Sequence, residues 1–252
     1  MDAPTARSGC ARRWRGVVLL APVAAFAFVL AGIVAGLALA WPGIARRRAV
    51  GWIRFWGRAQ LALLGVRLSV SGREHLDRPG PKVVVINHGS LLDVLVLAAL
   101  CPERPLAVYK RELGRMPGVG WAFRALGMIA VDRGRHELAV ESLRAAARRL
   151  VHERGTVLIS PEGTRSASGR LGPFKLGAFH LAAASGAPIV PVLLLGVHDV
   201  LPPGSLVARA GTLRVECLAP IDTSDWSEER VREHAAEVRA VFLRHLEAAP
   251  GT

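Results

Sequence analysis

Between Arg15 and Arg46 the chain carries no charged residue, and the centre of that stretch, residues 17–41, is almost wholly apolar. The run exceeds the roughly 20 residues that cross a bilayer as a helix, so it is expected to enter a membrane as a transmembrane helix or as one arm of a monotopic hairpin. Pro42-Gly43 ends the run, and Trp52, Phe55 and Trp56 follow it among arginines. That pattern fits an amphipathic helix lying in the interface, and equally a domain helix with snorkelling arginines.

From residue 66 the periodicity changes to short β-branched runs alternating with helical stretches. Strands are read at 83–86, 106–109, 128–131, 157–160, 189–195 and around 213–218. Val140, Leu143, Ala147 and Leu150 recur at spacings of three and four, with Glu141, Arg144, Arg148 and Arg149 facing away, as in a helix that covers a sheet. The expected fold class is α/β, a mixed, largely parallel sheet flanked by helices. Residues 1–65 are expected to form a membrane-attached helical segment and residues 66–252 the α/β domain.

Composition narrows the class of protein. Hydrophobic residues are 51% of the chain while the formal charge is +13, a pairing that points to a membrane surface rich in anionic lipids. Binding to nucleic acid is not expected, since no helix-turn-helix, zinc-finger or RNA-binding signature is present and one Tyr leaves few stacking platforms. Cys10, Cys101 and Cys217 are far apart and odd in number, which fits neither a disulfide framework nor paired metal ligands and indicates a reducing compartment. Ala38-Leu39-Ala40 resembles a signal-peptidase site and Arg12-Arg13 a twin-arginine signal, but the apolar run is longer than a cleaved signal needs. Arginines flank both ends, so the positive-inside rule sets no orientation.

The polar residues fall where strands end. Asn87-His88 follows the first of the listed runs, Lys110-Arg111-Glu112 the second, Asp132-Arg133 the third and Pro161-Glu162-Gly163-Thr164-Arg165 the fourth. If these strands run parallel, the clusters meet at one edge, where open α/β sheets bind ligands. The site would then be lined by a histidine, two acids and several cations, the last suited to a phosphate.

In His88-Gly89-Ser90-Leu91-Leu92-Asp93 a histidine is followed by an acid in the first turn of a helix, from which the carboxylate can reach back to the ring. A carboxylate on one imidazole nitrogen fixes the tautomer and leaves the other nitrogen to take a proton from an alcohol. Ser90 and Asp93 also have the spacing of a capping box, a structural role that the spacing alone does not separate from catalysis. A serine hydrolase would need a Gly-x-Ser-x-Gly elbow, which is absent, and Cys101 has no evident activating partner. Gly163 permits a tight turn that could bring backbone amides and Arg165 to a phosphate, although such a segment is often only a solvated turn.

Asn87-His88-Gly89-Ser90-Leu91-Leu92-Asp93 resembles the first motif of the 1-acylglycerol-3-phosphate acyltransferase family, the HX4D motif, and Pro161-Glu162-Gly163-Thr164-Arg165-Ser166 resembles its third. Lys110-Arg111-Glu112-Leu113, Pro117, Gly120, Gly127 and Asp132-Arg133 are similar to the intermediate motif, and Ile189-Val190-Pro191-Val192 to the fourth. The similarity spans roughly residues 66–220. Ser160 departs from the pattern, which usually has a bulky aromatic before Pro-Glu-Gly.

The resemblance implies His88 as base and Asp93 as its partner. It implies Glu162, Gly163, Thr164 and Arg165 at the acceptor, joined by Lys110 and Arg133, with Lys175 assisting a phosphate or the carrier. The reaction it implies moves an acyl group from acyl-CoA or acyl carrier protein to the second glycerol hydroxyl of lysophosphatidate, giving phosphatidic acid. It calls for no metal and no cofactor beyond the thioester co-substrate. The catalytic domain is accordingly expected on the cytoplasmic face of the cell membrane. Rival readings are transfer to another lysophospholipid or to an acylated amino-acid lipid, a lipid hydrolase, and a membrane scaffold without catalysis.

Overall fold

The computed structural model describes residues 42–106, 108–110, 114–115, 120, 129–131, 136–163, 171–202, 205 and 208–248. The apolar run 17–41 lies outside them, and among the described residues no helix is long and apolar enough to cross a membrane.

The chain enters through α1 (Pro42–Leu63), whose first residue is the proline that ends the apolar run; a proline is tolerated there because the first helical N–H has no partner to lose. Then come β1 (Val66–Ser71), α2 (Arg73–Asp77), β2 (Lys82–Ile86), α3 (Leu92–Ala99), β3 (Val108–Lys110) and β4 (Ile129–Val131). The remainder is α4 (His136–His152), β5 (Thr156–Ile159), α5 (Gly177–Ser185), β6 (Ile189–Leu195), α6 (Val197–Val200), β7 (Gly211–Cys217) and α7 (Val231–Ala248).

Five strands form one sheet in the order β1-β7-β6-β2-β5. β2 pairs parallel with both β5 and β6, β1 pairs parallel with β7, and β6 and β7 pair antiparallel, so the sheet is mixed. β2 and β6 are buried along their whole length, as continuous apolar runs covered on both faces must be. Alternate side chains go to opposite faces. Val84, Ile86, Val190, Val192 and Leu194 join a core with Leu61 of α1, Leu64 just past its end, and Leu92, Leu95 and Val96 of α3. Val83, Val85, Ile189, Leu193 and Leu195 join a second core with Ala146 and Leu150 of α4, Phe179 of α5 and Phe242 of α7.

In the runs expected at 106–109 and 128–131 the described strands are Val108–Lys110 and Ile129–Val131, and they pair with each other in a separate two-stranded sheet. Each is three residues long. Among the described residues the link to the main sheet is a parallel bridge, Pro105 to Thr156, with Leu106 N–H donating to the Thr156 carbonyl at 2.7 Å. Pro191, expected to shape a sheet edge, lies inside central β6. It is accommodated because the ladder to β7 begins only at Val192, and its carbonyl accepts from Leu218 N–H at 2.9 Å.

The domain-helix reading of the second helical segment fits α1, which packs on the first core. Val50, Leu61 and Leu64 are buried, whereas Trp52 is 45% and Phe55 59% exposed, stacked edge to face with centroids 5.9 Å apart. Arg54 is drawn onto the domain, donating from Nε to the Cys101 carbonyl at 2.6 Å.

Candidate active site

Because β2, β5 and β6 share one direction, the segments that follow them emerge at the same edge. These are Asn87-His88-Gly89 after β2, Pro161-Glu162-Gly163 after β5 and Gly196 with α6 after β6.

His88 Nδ1 lies 2.7 Å from Asp93 Oδ2, with the His88 side chain 28% and the Asp93 side chain 1% exposed. This contact suits the tautomer in which Nδ1–H donates to the carboxylate, the one in which Nε2 of a neutral ring keeps its lone pair. The same Oδ2 accepts from Gly89 N–H at 2.8 Å and Ser90 N–H at 2.9 Å, and Ser90 Oγ accepts from Leu92 N–H at 3.3 Å. The capping geometry and the histidine bond therefore coexist: the oxygen that closes the first turn of α3 also fixes the imidazole. Asp93 is immobilised before any substrate arrives.

Glu162 is brought to the same loop. It is 7% exposed, and Oε1 accepts from His88 N–H at 2.9 Å while Oε2 accepts from Gly172 N–H at 2.9 Å. Both side-chain oxygens of Glu162, a residue expected at the acceptor, are engaged by main-chain amides. Gly163 has φ +71°, the left-handed region that glycine enters without a Cβ clash. Lys175 folds over it: a Cβ at Gly163 would meet Lys175 Nζ at 2.6 Å. Lys175 N–H also donates to the Pro161 carbonyl at 2.7 Å. Glu162 and Gly163 thus sit in one turn, with Lys175 folded against it and Glu162 bonded to the His88 main chain.

The main chain of Lys110 ends β3, opposite Val131 of β4. Thr164, Arg165 and Arg133 lie outside the described residues. Among the described residues no group of three His, Cys, Asp or Glu side chains could hold a metal ion. Cys101 and Cys217 are free and buried, and burial pushes each thiol up to about 11, so neither is a thiolate nucleophile at neutral pH.

Three site contacts escaped sequence reasoning. Asn87 Nδ2 donates to the Leu194 carbonyl at 3.0 Å and its Oδ1 accepts from Leu194 N–H at 2.8 Å, so the carboxamide ties the end of β2 to β6. His198 of α6 packs on the loop that carries His88, with Nε2 only 2.9 Å from where a Cβ on Gly89 would be. The available signal was its position just after the third parallel strand. Arg239 of α7 donates from Nε to the Gly172 carbonyl at 3.0 Å and from Nη2 to the Leu171 carbonyl at 3.1 Å. No local pattern marks it.

Residues 67–195 match the family model described as Acyltransferase. The 1-acyl-sn-glycerol-3-phosphate acyltransferase of Cocos nucifera is 32% identical over 208 residues, covering 82% of this chain and 67% of that one. The 1-acyl-sn-glycerol-3-phosphate acyltransferase alpha of Homo sapiens is 35% identical over 181 residues, covering 72% of this chain and 64% of its own. Among solved structures, the 1-acyl-sn-glycerophosphate (LPA) acyltransferase PlsC from Thermotoga maritima superposes with a TM-score of 0.72 at 27% identity, covering 88% of this chain and 90% of that one.

Proposed function

Because the chain belongs to the acyltransferase family, we propose that it acylates the sn-2 hydroxyl of 1-acylglycerol-3-phosphate to give phosphatidic acid in phospholipid biosynthesis. The observation that carries the chemistry is the 2.7 Å contact between His88 Nδ1 and buried Asp93.

In this reading His88 Nε2 accepts the hydroxyl proton as the oxygen attacks the thioester carbonyl. The carbonyl carbon becomes tetrahedral, the C–S bond breaks, and the leaving sulfur takes the proton back from the imidazolium. Acyl group and proton are both accounted for without an acyl-enzyme. Asp93 stabilises the imidazolium during the interval when it is charged. Lys175 and the turn at Gly163, together with Thr164, Arg165, Lys110 and Arg133, hold the acceptor phosphate, for which planar arginine and mobile lysine are complementary partners.

The thioester is acyl-CoA or acyl carrier protein, and the catalytic domain faces the cytoplasm, where both occur. Attachment to the membrane comes from residues 17–41 and from α1, whose exposed Trp52 and Phe55 provide an aromatic contact and whose arginines attract anionic lipids. Both substrates then keep their chains in an apolar environment during transfer.

Mass spectrometry of products formed by the purified protein from several lysolipid acceptors and paired thioester donors tests the reading. Phosphatidic acid from lysophosphatidate is expected. Free fatty acid regardless of acceptor, or transfer to another lysolipid in preference, would overturn it.

A further inference from the structure

The main chain of His88 is held by a chain of hydrogen bonds that begins on α7, outside the segment that matches the family model. Arg239 of α7 grips the carbonyls of Leu171 and Gly172; Gly172 N–H donates to Glu162 Oε2; and Glu162 Oε1 accepts from His88 N–H. Every link measures between 2.9 and 3.1 Å. We propose that Arg239 is a positioning residue for the transfer reaction: through the 171–172 main chain and Glu162 it sets the placement of the His88 backbone and hence of the imidazole. The inference rests on His88 being the base.

Three features favour this over ordinary packing. A guanidinium presents N–H donors in a fixed fork, so gripping two successive carbonyls fixes the orientation of that peptide as well as its position. Arg239 is only partly buried and no carboxylate pairs with it among the described residues, so its contacts there are with these carbonyls. Glu162 is buried with both oxygens engaged by N–H groups belonging to two different segments. Charge-assisted bonds of this kind are roughly twice as strong as neutral ones, which lets one carboxylate couple the two segments tightly. The peptide that presents His88 is thereby braced from two sides, by Asp93 through the ring and by Glu162 through the backbone.

α7 itself is firmly seated. Val238, adjacent to Arg239, is 1% exposed and Phe242 is fully buried in the second core, with its ring edge-on to Phe174 at 5.5 Å. The brace therefore ties the reacting histidine to a rigid helix.

Arg239→Met keeps the apolar stem and removes the donors, while Arg239→Lys keeps the charge and can serve one carbonyl at a time. Because a misplacement of about 1 Å can cost on the order of 100-fold, kcat for Arg239→Met is expected to fall roughly 10- to 100-fold, with Arg239→Lys intermediate and the KM for the thioester within about twofold. Glu162→Gln puts an amide N–H₂ where one of the two N–H donors now finds an acceptor. If the chain of bonds acts as a unit, adding Arg239→Met to Glu162→Gln lowers kcat further by less than about threefold. Hydrogen exchange of the full-length protein should show faster exchange in the peptide spanning residues 86–92 of Arg239→Met, with β6 unchanged, a readout that does not require turnover.

Unchanged kcat in Arg239→Met, or multiplicative effects in the double variant, overturns the proposal. So does unaltered exchange at residues 86–92. If Arg239→Met does not fold, Arg239→Lys decides: wild-type kcat and exchange overturn the proposal, and a selective kcat loss supports it. His88→Ala in the same assay separates the two failures. Its retained activity would sink the base assignment, whereas its inactivity beside a fully active Arg239→Met would sink only the brace.

Discussion

Replacing Asp93 with Asn isolates the charge on which the His88 mechanism depends. The amide keeps an oxygen for the three N–H groups that Asp93 Oδ2 now serves, those of the His88 ring, Gly89 and Ser90, so the turn into α3 should survive. What is lost is the negative charge facing the imidazolium. With Nδ1 and Oδ2 2.7 Å apart, the centres of the two charges lie about 4 Å from one another. A pair of unit charges at about 4 Å in an effective dielectric of about 20, appropriate where the ring is partly exposed, interacts by about 4 kcal/mol. That corresponds to about three decades in rate, since each factor of ten is about 1.36 kcal/mol of barrier. The amide can also turn its N–H₂ to the ring, which moves the imidazole proton to Nε2 and removes the base, so the loss can exceed the Coulomb figure. A continuous assay of thiol release from an acyl-CoA in the presence of lysophosphatidate measures kcat and KM, and a thermal melt checks the fold. The expected result is a kcat lower by roughly 1,000-fold with KM values near wild type. A well-folded variant within tenfold of the wild-type kcat would refute the assignment of Asp93.

Other consequences are open to measurement. Asn87→Leu leaves the N–H and carbonyl of buried Leu194 unpaired and should destabilise the protein by about 2–4 kcal/mol, read as a melting temperature lower by roughly 4–16 °C. Gly89→Ala drives a methyl against the His198 ring, and kcat should drop roughly 10- to 100-fold; Gly89→Ala combined with His198→Ala should be more active than Gly89→Ala alone. Cys101 and Cys217, raised by burial from 9.0 to about 11, should resist iodoacetamide at pH 7.5 in the folded protein and react once it is unfolded. Their folded-state values lie above the unfolded ones, so the stability they contribute is full below pH 9 and is lost as pH rises through about 11, which circular dichroism in an alkaline titration would follow.

The sequence was most legible where a local rule sufficed. β2 and β6 are continuous apolar runs of strand length, and their boundaries were read to within a residue. The five-residue spacing from His88 to Asp93 specifies the contact, because one turn of helix returns the carboxylate to the preceding loop. Parallel pairing of β2 with β5 was a topological inference, and it is what places Glu162 beside His88. Long-range pairing was not legible. Nothing in the three-residue runs β3 and β4 tells that they leave the main sheet, and nothing near Asn87 tells that its carboxamide will meet Leu194, 107 residues away. Glu162 shows the same limit: its type announces charge, whereas its partners, two amides from separate segments, are fixed only by how the loops close. Residues 17–41, Arg133, Thr164 and Arg165 lie outside the described residues, so their expected roles stand on sequence alone.

The central claim is that the His88 imidazole takes the proton from the acceptor hydroxyl. Single-turnover transfer of a labelled acyl group from thioester to lysophosphatidate, compared between the wild type and His88→Ala with matched folding and membrane association, tests it most directly. General-base assistance contributes typically about 100- to 10,000-fold, so the variant should lose at least about 100-fold in the transfer step. Labelled phosphatidic acid formed by His88→Ala at a rate within tenfold of the wild type would contradict the account.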